Sequence, residues 1–475
     1  PEALASGLSD PFPDAAGANP AWELRRNSGD ALQLAHYRRM LQASGHAASA
    51  AWAGIIGKEE QVVWYRLDCE MWTTPAKSDG KKRKRRTTME VYDFEFDFRR
   101  DISAIAHRHL SDPAVELLVE PVACSDCPTC PWVDFCDAAL QAGSGDPSLL
   151  PGVGYRQWRA LRDIDVISRE AVAALDLPTA QFVAAGVDAT RWLDDASGAK
   201  PDEDLQKLRP QARKQLETLA DAGVTTADQL VGCLDRQTAA LGPWAANAII
   251  AARAALGPLG AYRRPGGSCA VPRADIEIDV DMENTNDGVY QWGAFVTDRS
   301  EVGLASPGYH PFIDWSPITP ESELRVFLGF WNWLDQIRRE AESSGRSVRA
   351  YCWYENAENT QMRRIAAADP ELAARVESFI RSDSWVDMQK VFNAGWITGG
   401  STGLKTIAPL AGFEWDVDDP GGGISMLYHA RATQHDHPDD DARRWLLDYN
   451  RGDVEATLAI REWLDGPGQA LPPVT

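Results

Sequence analysis

The chain reads as a multidomain α/β protein, with an α/β segment first, a helical middle and a mixed-sheet domain last. Three observations predict this. The 475 residues exceed what one hydrophobic core organises, which implies several domains. Helical spacing prevails from residue 148 to 260 and ends at the Gly/Pro-rich Arg263-Arg-Pro-Gly-Gly-Ser268, which reads as a linker. Beyond it, Asp275-Ile-Glu-Ile-Asp-Val-Asp-Met-Glu283 alternates so that Ile276, Ile278, Val280 and Met282 share one face of a strand. Asp275, Glu277, Asp279, Asp281 and Glu283 share the other. The expected domains are 1–147, 148–262 and 273–467.

Five like charges on one sheet face repel, so a cation is expected against part of the row, a divalent metal being the economical one. The competing reading is an edge strand with a solvated acidic face. Composition is that of a globular protein, 44% hydrophobic and 25% charged. There is no apolar run of about 18 residues and no secretory signal pattern, so a membrane is not expected and a cytoplasmic location is. A first residue of Pro suggests a piece of a longer chain. The net charge of −22 is concentrated after residue 272. A nucleic acid would therefore have to be held through metal ions, backbone amides and local basic patches. Lys82, Arg83, Lys84 and Arg85 form such a patch within residues 81–86, although a solvated hairpin tip explains them equally well.

In chain order, Gly29 to Leu41 reads as an amphipathic helix with Leu34, Tyr37 and Leu41 at helical spacing. Residues 52–57 and 61–67 read as neighbouring strands, and Met89 to Phe98 alternates like another before a helix from about Asp101. Four of the eight cysteines crowd into Cys124-Ser-Asp-Cys127-Pro-Thr-Cys130-Pro-Trp-Val-Asp-Phe-Cys136. In a reducing compartment that density serves metal ligation or redox chemistry. Four close thiolates suit a 4Fe–4S cluster, and zinc is the alternative. Leu149-Leu-Pro-Gly152-Val-Gly154-Tyr155 opens a helix with a Gly-x-Gly turn whose amides can approach a phosphate. Leu216 to Val231 looks like a divergent second copy, one helix ending at Gly223 and the next capped by Thr225 or Thr226. Both resemble helix-hairpin-helix modules, for which duplex-backbone contact is implied.

After the acidic strand come a turn at 284–288, a strand Val289–Val296 and a strand Val348–Tyr354. A helix follows in which Asn356 is a cap candidate and Glu358 falls in the first turn, where it also suits the helix dipole. In the final helix Leu446, Tyr449, Asp453, Ala456 and Ile460 share one face. Asp453 therefore interrupts a core stripe and needs a partner, and Tyr449 places a phenol beside it.

These residues carry resemblances. Gln33-x3-Tyr37 resembles the helix that follows the active-site strands of RecB-family nucleases of the PD-(D/E)xK class. The acid-x-Lys pair of that class is not visible before it, which implies a partial domain. Cys127-x2-Cys130-x5-Cys136 is similar to the iron–sulfur nucleases of the same family, with Cys124 as a fourth ligand. Asp281-x-Glu283, Glu358 and Tyr449-x3-Asp453 resemble the ordered motifs of DEDDy 3′–5′ exonucleases, which have a ribonuclease H-like fold, with Glu in place of the commoner Asp at 358. Tyr290-Gln-Trp-Gly293, Glu358-Asn-Thr-Gln-Met362, Val386-Asp387-Met388, Gly403-Leu-Lys405 through Trp415 and Tyr449-Asn-x2-Asp453 look like the RecB-like nucleases that carry such a domain at the C-terminus. Asp387 and Lys405 recur in that resemblance, and a capping Asp and a surface Lys explain them as well. Asp275-x-Glu277 and Asp279-x-Asp281 have the same spacing as Asp281-x-Glu283. The last is chosen because it ends the strand beside the turn.

The function that follows is a metal-dependent nuclease, a 3′–5′ exonuclease on DNA or RNA. Asp281, Glu283, Glu358 and Asp453 would hold two Mg²⁺ or Mn²⁺ ions roughly 3.5–4 Å apart, and Tyr449 would orient the water. The alternative is a non-catalytic nucleic-acid-binding or scaffold subunit with decayed nuclease folds.

Overall fold

The computed structural model describes residues 4–18, 28–57, 61–73, 85–127, 130–300, 303, 305–418, 422–434 and 437–475. The chain divides into two units, Pro1–Glu120 and Pro121–Thr475, so the cysteine segment belongs to the second.

In the first unit, β1 (Leu4–Gly7), β2 (Gly17–Ala18), α1 (Ser28–Ala43), β3 (Trp52–Ile56) and β4 (Gln61–Arg66) come first. The four strands form an antiparallel sheet in the order β2-β1-β4-β3. The expected neighbours β3 and β4 pair with Trp52 opposite Arg66. A hairpin of β5 (Glu70–Thr73) and β6 (Arg85–Thr87) leads into α2 (Thr88–Ser111). This corrects the strand expected over Met89–Phe98. Thr87 and Glu90 form a capping box that starts the helix there. The alternating aromatics meet their partners four residues on instead, Tyr92 stacking on Phe96 and Phe94 on Phe98. The expected face of α1 is also corrected. Ala31 and Ala35 are its buried residues, whereas Tyr37 and Leu41 are each 49% exposed. Alanines bring α1 close enough to α2 for His36 to meet the Tyr92 hydroxyl at 2.7 Å and for Arg39 to pair with Asp93.

The second unit opens with helices α3 (Val133–Leu140), α4 (Tyr155–Arg162), α5 (Arg169–Ala174), α6 (Leu177–Ala184), α7 (Ala189–Ser197), α8 (Leu205–Leu208), α9 (Arg213–Asp221), α10 (Ala227–Cys233), α11 (Arg236–Ala239) and α12 (Ala245–Leu256). One turn recurs three times. Asp165, Gly186 and Gly223 take positive φ after α4, α6 and α9. The valine that follows each of them is buried and donates its N–H at 2.9 Å to the carbonyl five residues back, Val166 to Leu161, Val187 to Phe182 and Val224 to Leu219. Ser168, Asp188 and the Thr226–Gln229 capping box then start α5, α7 and α10. Of the three, only the Gly223 copy is legible in the sequence as a helix-ending turn.

The expected linker is not free chain. Its start lies in β7 (Tyr262–Arg263), and Arg264 donates its N–H to the Gly395 carbonyl. The C-terminal domain comprises β8 (Ile276–Asn284), β9 (Val289–Asp298), β10 (Gly308–Ile313), α13 (Pro320–Ser343), β11 (Val348–Cys352), α14 (Glu355–Ala366), α15 (Pro370–Ile380), β12 (Trp385–Asp387), α16 (Met388–Gly395), β13 (Trp396–Ile397), α17 (Leu404–Ile407), α18 (Gly422–Ala432) and α19 (Asp440–Asp465). β13 pairs with β7. The main sheet runs β10-β9-β8-β11-β12, antiparallel on the β9–β10 side of β8 and parallel on the β11–β12 side. Among the described residues no helix is long and apolar enough to cross a membrane.

β8 is thus central, and both of its faces are covered. Ile276, Ile278 and Val280 pack with Phe327, Phe330 and Trp331 of α13 and Phe379 of α15. The acidic face lies under α19, and Glu277 and Asp279 are fully buried. The solvated edge strand is therefore excluded. The cation expected against the row is, over its first half, arginine: Arg461 of α19, itself fully buried, pairs with Asp279 and Glu277, while Arg273 and Arg299 bind Glu277 at 2.7 and 2.9 Å. Although burial alone would raise it, the guanidiniums of Arg273, Arg461 and Arg299 hold Glu277 at about 2.

Candidate functional site

Arginines occupy the first carboxylates of β8, which leaves the last two. Asp281 and Glu283 meet Asp453 of α19, and ligand atoms of the three lie within 4.8 Å of one another. This is the register chosen from the sequence. Helical spacing accounts for Tyr449, one turn before Asp453 on the same buried face.

The chain around this triad is shaped to hold it. Asn450 donates from Nδ2 to Asp281 Oδ2 at 2.8 Å, and its Oδ1 accepts from the Tyr309 hydroxyl at 2.8 Å. That hydroxyl in turn accepts from Gln291 at 2.8 Å. Asn450 fits because residue 293, opposite Asp281 on β9, is glycine: a Cβ there would stand 1.7 Å from Asn450 Oδ1. On the other side Trp415 Nε1 donates to Asp453 Oδ1 at 2.7 Å. Gly452 makes room for it, since a Cβ at that position would lie 2.5 Å from the indole Cδ1. Ser425 of α18 reaches Glu283 at 3.5 Å. Lys405 of α17 donates from Nζ to the Tyr449 hydroxyl at 2.9 Å and lies 4.5 Å from the centre of that ring.

Burial pushes Asp281 and Glu283 well above the usual carboxylate range, and the charge of Asp453 adds to the shift, while Lys405 opposes it. Asp453 is raised by burial too, against Lys405 and the hydrogen bonds from Trp415 and Tyr449. Three carboxylates at this separation, Glu283 and Asp453 buried and Asp281 partly so, do not all ionise without a cation. Hard oxygen donors so arranged fit Mg²⁺ or Mn²⁺.

Glu358 lies outside the group of three. In the first turn of α14 it is 5% exposed, its Oε2 has no hydrogen-bond partner, and its charge acts on Asp281. Burial, with Asp387 and Glu355 nearby, pushes it up to about 8 against the pull of its own backbone N–H. An unpartnered buried carboxylate oxygen beside the triad suits a cation as well. Asn356 does not cap α14, which starts at Glu355. Asp387 serves instead, accepting the Glu355 N–H at 3.3 Å and capping α16 through the Lys390 N–H at 3.0 Å. Asp387 is thus a capping residue.

Cys124 and Cys127 bring their sulfurs to 3.8 Å of each other, and the Cys130 N–H donates to the Cys127 carbonyl. Cys136 sits in α3. Among the described residues, no three of the four thiols lie within the 4.8 Å that gathers the carboxylates. Gly152 has φ +79° and Gly154 is the N-cap of α4. Arg85, in β6, donates to the Glu70 carbonyl at 2.8 Å, while Lys82, Arg83 and Lys84 lie outside the described residues.

Sequence reasoning gave no role to Asn450, Trp415, Ser425 or Tyr309. The first two stand inside recognised motifs, Tyr449-Asn and Phe413-Glu-Trp415, and only that adjacency marked them. Residues 370–465, running from α15 to the end of α19 and including Tyr449 and Asp453, match the family model RNase_H_2, of the RNase_H superfamily. No curated protein and no solved structure matches the chain. The C-terminal domain, with its mixed sheet and acidic triad, is RNase H-like.

Proposed function

We propose that the C-terminal domain is a divalent-metal-dependent nuclease acting on DNA or RNA, as a 3′–5′ exonuclease. The observation that carries this is the closure of Asp281, Glu283 and Asp453 to within 4.8 Å in an RNase H-like domain. These three, with Glu358, would hold two Mg²⁺ or Mn²⁺ ions. When bound, such ions lower the pKa of a water and neutralise charge on the reacting phosphate.

The residues around them supply position. Asn450 and Trp415 fix the carboxylates of Asp281 and Asp453, so the donor set is built before a ligand arrives. Burial keeps the Tyr449 phenol protonated, and its hydroxyl would orient the attacking water. Glu283 and Asp453 are 7% and 6% exposed, a depth that suits a single-stranded end better than the middle of a duplex. The turns after α4, α6 and α9, with Gly152 and Gly154, would contact the nucleic-acid backbone as helix-hairpin-helix elements, and the basic run Lys82, Arg83, Lys84 and Arg85 of the first unit would be a separate phosphate-contacting patch. The first unit would be a partial RecB-like domain. Cys124, Cys127, Cys130 and Cys136 would ligate a 4Fe–4S cluster, a reading supported by the crowding of four thiols into one short segment. Zinc is the alternative, and an anaerobic preparation that is colourless and carries one zinc per chain decides for it.

The test uses single-stranded DNA and RNA oligonucleotides labelled at either end, with Mg²⁺ or Mn²⁺. A 5′-labelled strand shortened stepwise by wild type, and untouched by Asp281→Asn, is expected. Binding of either polymer without cleavage in any metal would replace this reading with the non-catalytic one.

A further inference from the structure

We infer that Trp445 and Tyr428 are positioning residues for Tyr449, an inference that rests on the proposed role of that phenol in orienting the attacking water. What carries it is a ladder of flat side chains that ends on the Tyr449 ring. Trp445 and Tyr449 stand one turn apart on α19 and share a face. Side chains on a helix lean towards its N-terminus, so the phenol lies over the turn that Trp445 occupies. The two rings are 5.1 Å apart between centres and 16° from parallel. α18 supplies the next rung, the Tyr428 ring lying 4.4 Å from that of Trp445 at 12°. Arg431 follows with its guanidinium 5.1 Å from the centre of the Tyr428 ring. Its Nε donates at 2.9 Å to Asp439, the cap of α19. The ladder therefore returns to the helix from which it starts.

Such a stack controls orientation. Rotation about χ1 swings the Tyr449 hydroxyl, and rotation about the soft χ2 turns the plane in which its O–H lies. An indole flat against the ring opposes both. Lys405 donates to the hydroxyl at 2.9 Å and holds the oxygen end of the phenol, whereas the ladder holds the ring. Tryptophan is unfavourable at this position in one respect: its Nε1 is buried and finds no hydrogen-bond acceptor among the described residues, a penalty that phenylalanine would not incur. What the indole contributes is its broad face, not its N–H.

The same face of α18 reaches the acidic site at a second point. Ser425, Tyr428 and His429 are three and four residues apart. Ser425 meets Glu283 at 3.5 Å, Tyr428 meets Trp445, and the His429 ring lies 4.1 Å from that of Tyr290. Ser425 and His429 are buried, so α18 is seated through this face, and its seating presses the indole on the phenol.

The experiment compares wild type with Trp445→Leu, Trp445→Phe and Tyr428→Leu, each also combined with Tyr449→Phe, on a single-stranded oligonucleotide with Mn²⁺. Leucine keeps apolar volume and removes the flat face, and a retained Mn²⁺-induced rise in melting temperature certifies that fold and metal site are intact. Trp445→Leu should lower kcat about 10–10²-fold at unchanged KM, the scale of a misplacement of about 1 Å. Tyr428→Leu should act in the same direction and less, and Trp445→Phe should recover most of the loss. Combined with Tyr449→Phe, Trp445→Leu should lower kcat no further; an equal loss with and without the hydroxyl means that Trp445 only packs, and overturns the inference. A second readout needs no activity. Tyr449→3-fluorotyrosine in the full chain gives a fluorine resonance that the ring current of the indole displaces. Trp445→Leu should move it towards that of the free amino acid, and Tyr428→Leu should shift or broaden it; a resonance unmoved by both overturns the inference. Should Trp445→Leu lose the Mn²⁺-induced rise, Tyr428→Leu, which leaves α19 unaltered, decides alone. Wild type that binds Mn²⁺ and cleaves no oligonucleotide sinks the nuclease reading instead, and the fluorine resonance still decides whether the ladder holds the phenol.

Discussion

Asp453→Asn separates a metal ligand from a packed polar residue. Asp453 is 6% exposed, accepts from Trp415 at 2.7 Å, and has a ligand atom within 4.8 Å of those of Asp281 and Glu283. At an effective dielectric constant of about 20, two full charges at that distance repel by about 3 kcal/mol. Proton uptake already relieves part of this, since burial and mutual repulsion raise all three groups. Asparagine keeps an oxygen for Trp415 and removes the charge. We expect metal-free Asp453→Asn to be more stable than wild type by about 1–3 kcal/mol, which raises Tm by a few degrees. Mn²⁺ should raise the wild-type melting temperature and leave that of the variant unchanged, and nuclease activity should vanish. A purely structural Asp453 behaves oppositely: losing its network costs about 1–3 kcal/mol, with or without Mn²⁺. A variant that melts lower in both conditions, beside a wild type indifferent to Mn²⁺, refutes the reasoning.

The metal-free protein should gain stability on acidification from pH 8 towards pH 5. Glu358 is pushed up to about 8 and the triad is raised, so the folded state binds more protons than the unfolded chain between the unfolded pKa near ~4 and the raised folded values. Melting curves in chelator check this, and a flat or inverted profile contradicts it. Arg461→Met should lose about 3–5 kcal/mol in a urea titration, because Asp279 is then buried without its guanidinium; a loss below ~1 kcal/mol would mean that Asp279 takes up a proton in place of that partner. Gly293→Ala should cost about 1–3 kcal/mol and most nuclease activity, since the new methyl displaces Asn450 from Asp281. Full activity in that variant would show that Asn450 is dispensable.

What the sequence determined by itself is what lies within one element's period. Alternation along β8 assigned its apolar and acidic faces, because residues two apart in a strand must share a side. Spacing of four on α19 put the Tyr449 phenol beside Asp453 for the same kind of reason. Alternation alone failed at Met89–Phe98, where both periods were compatible with the residues and the Thr87–Glu90 capping box decided for helix. Charge on β8 predicted a cation, yet Glu277, Asp279, Asp281 and Glu283 look alike in one dimension. Tertiary structure separated them, by delivering Arg461, 182 positions after Asp279, to the first pair and Asp453 to the second. Lys405 and Trp415 likewise join the site because α17 and the turn after it pack on α19. Local backbone geometry dictates which side a residue faces. Which charge waits on that side is settled only when distant elements pack, because the energy of a buried carboxylate depends on the groups within a few ångströms of it and not on its neighbours in sequence.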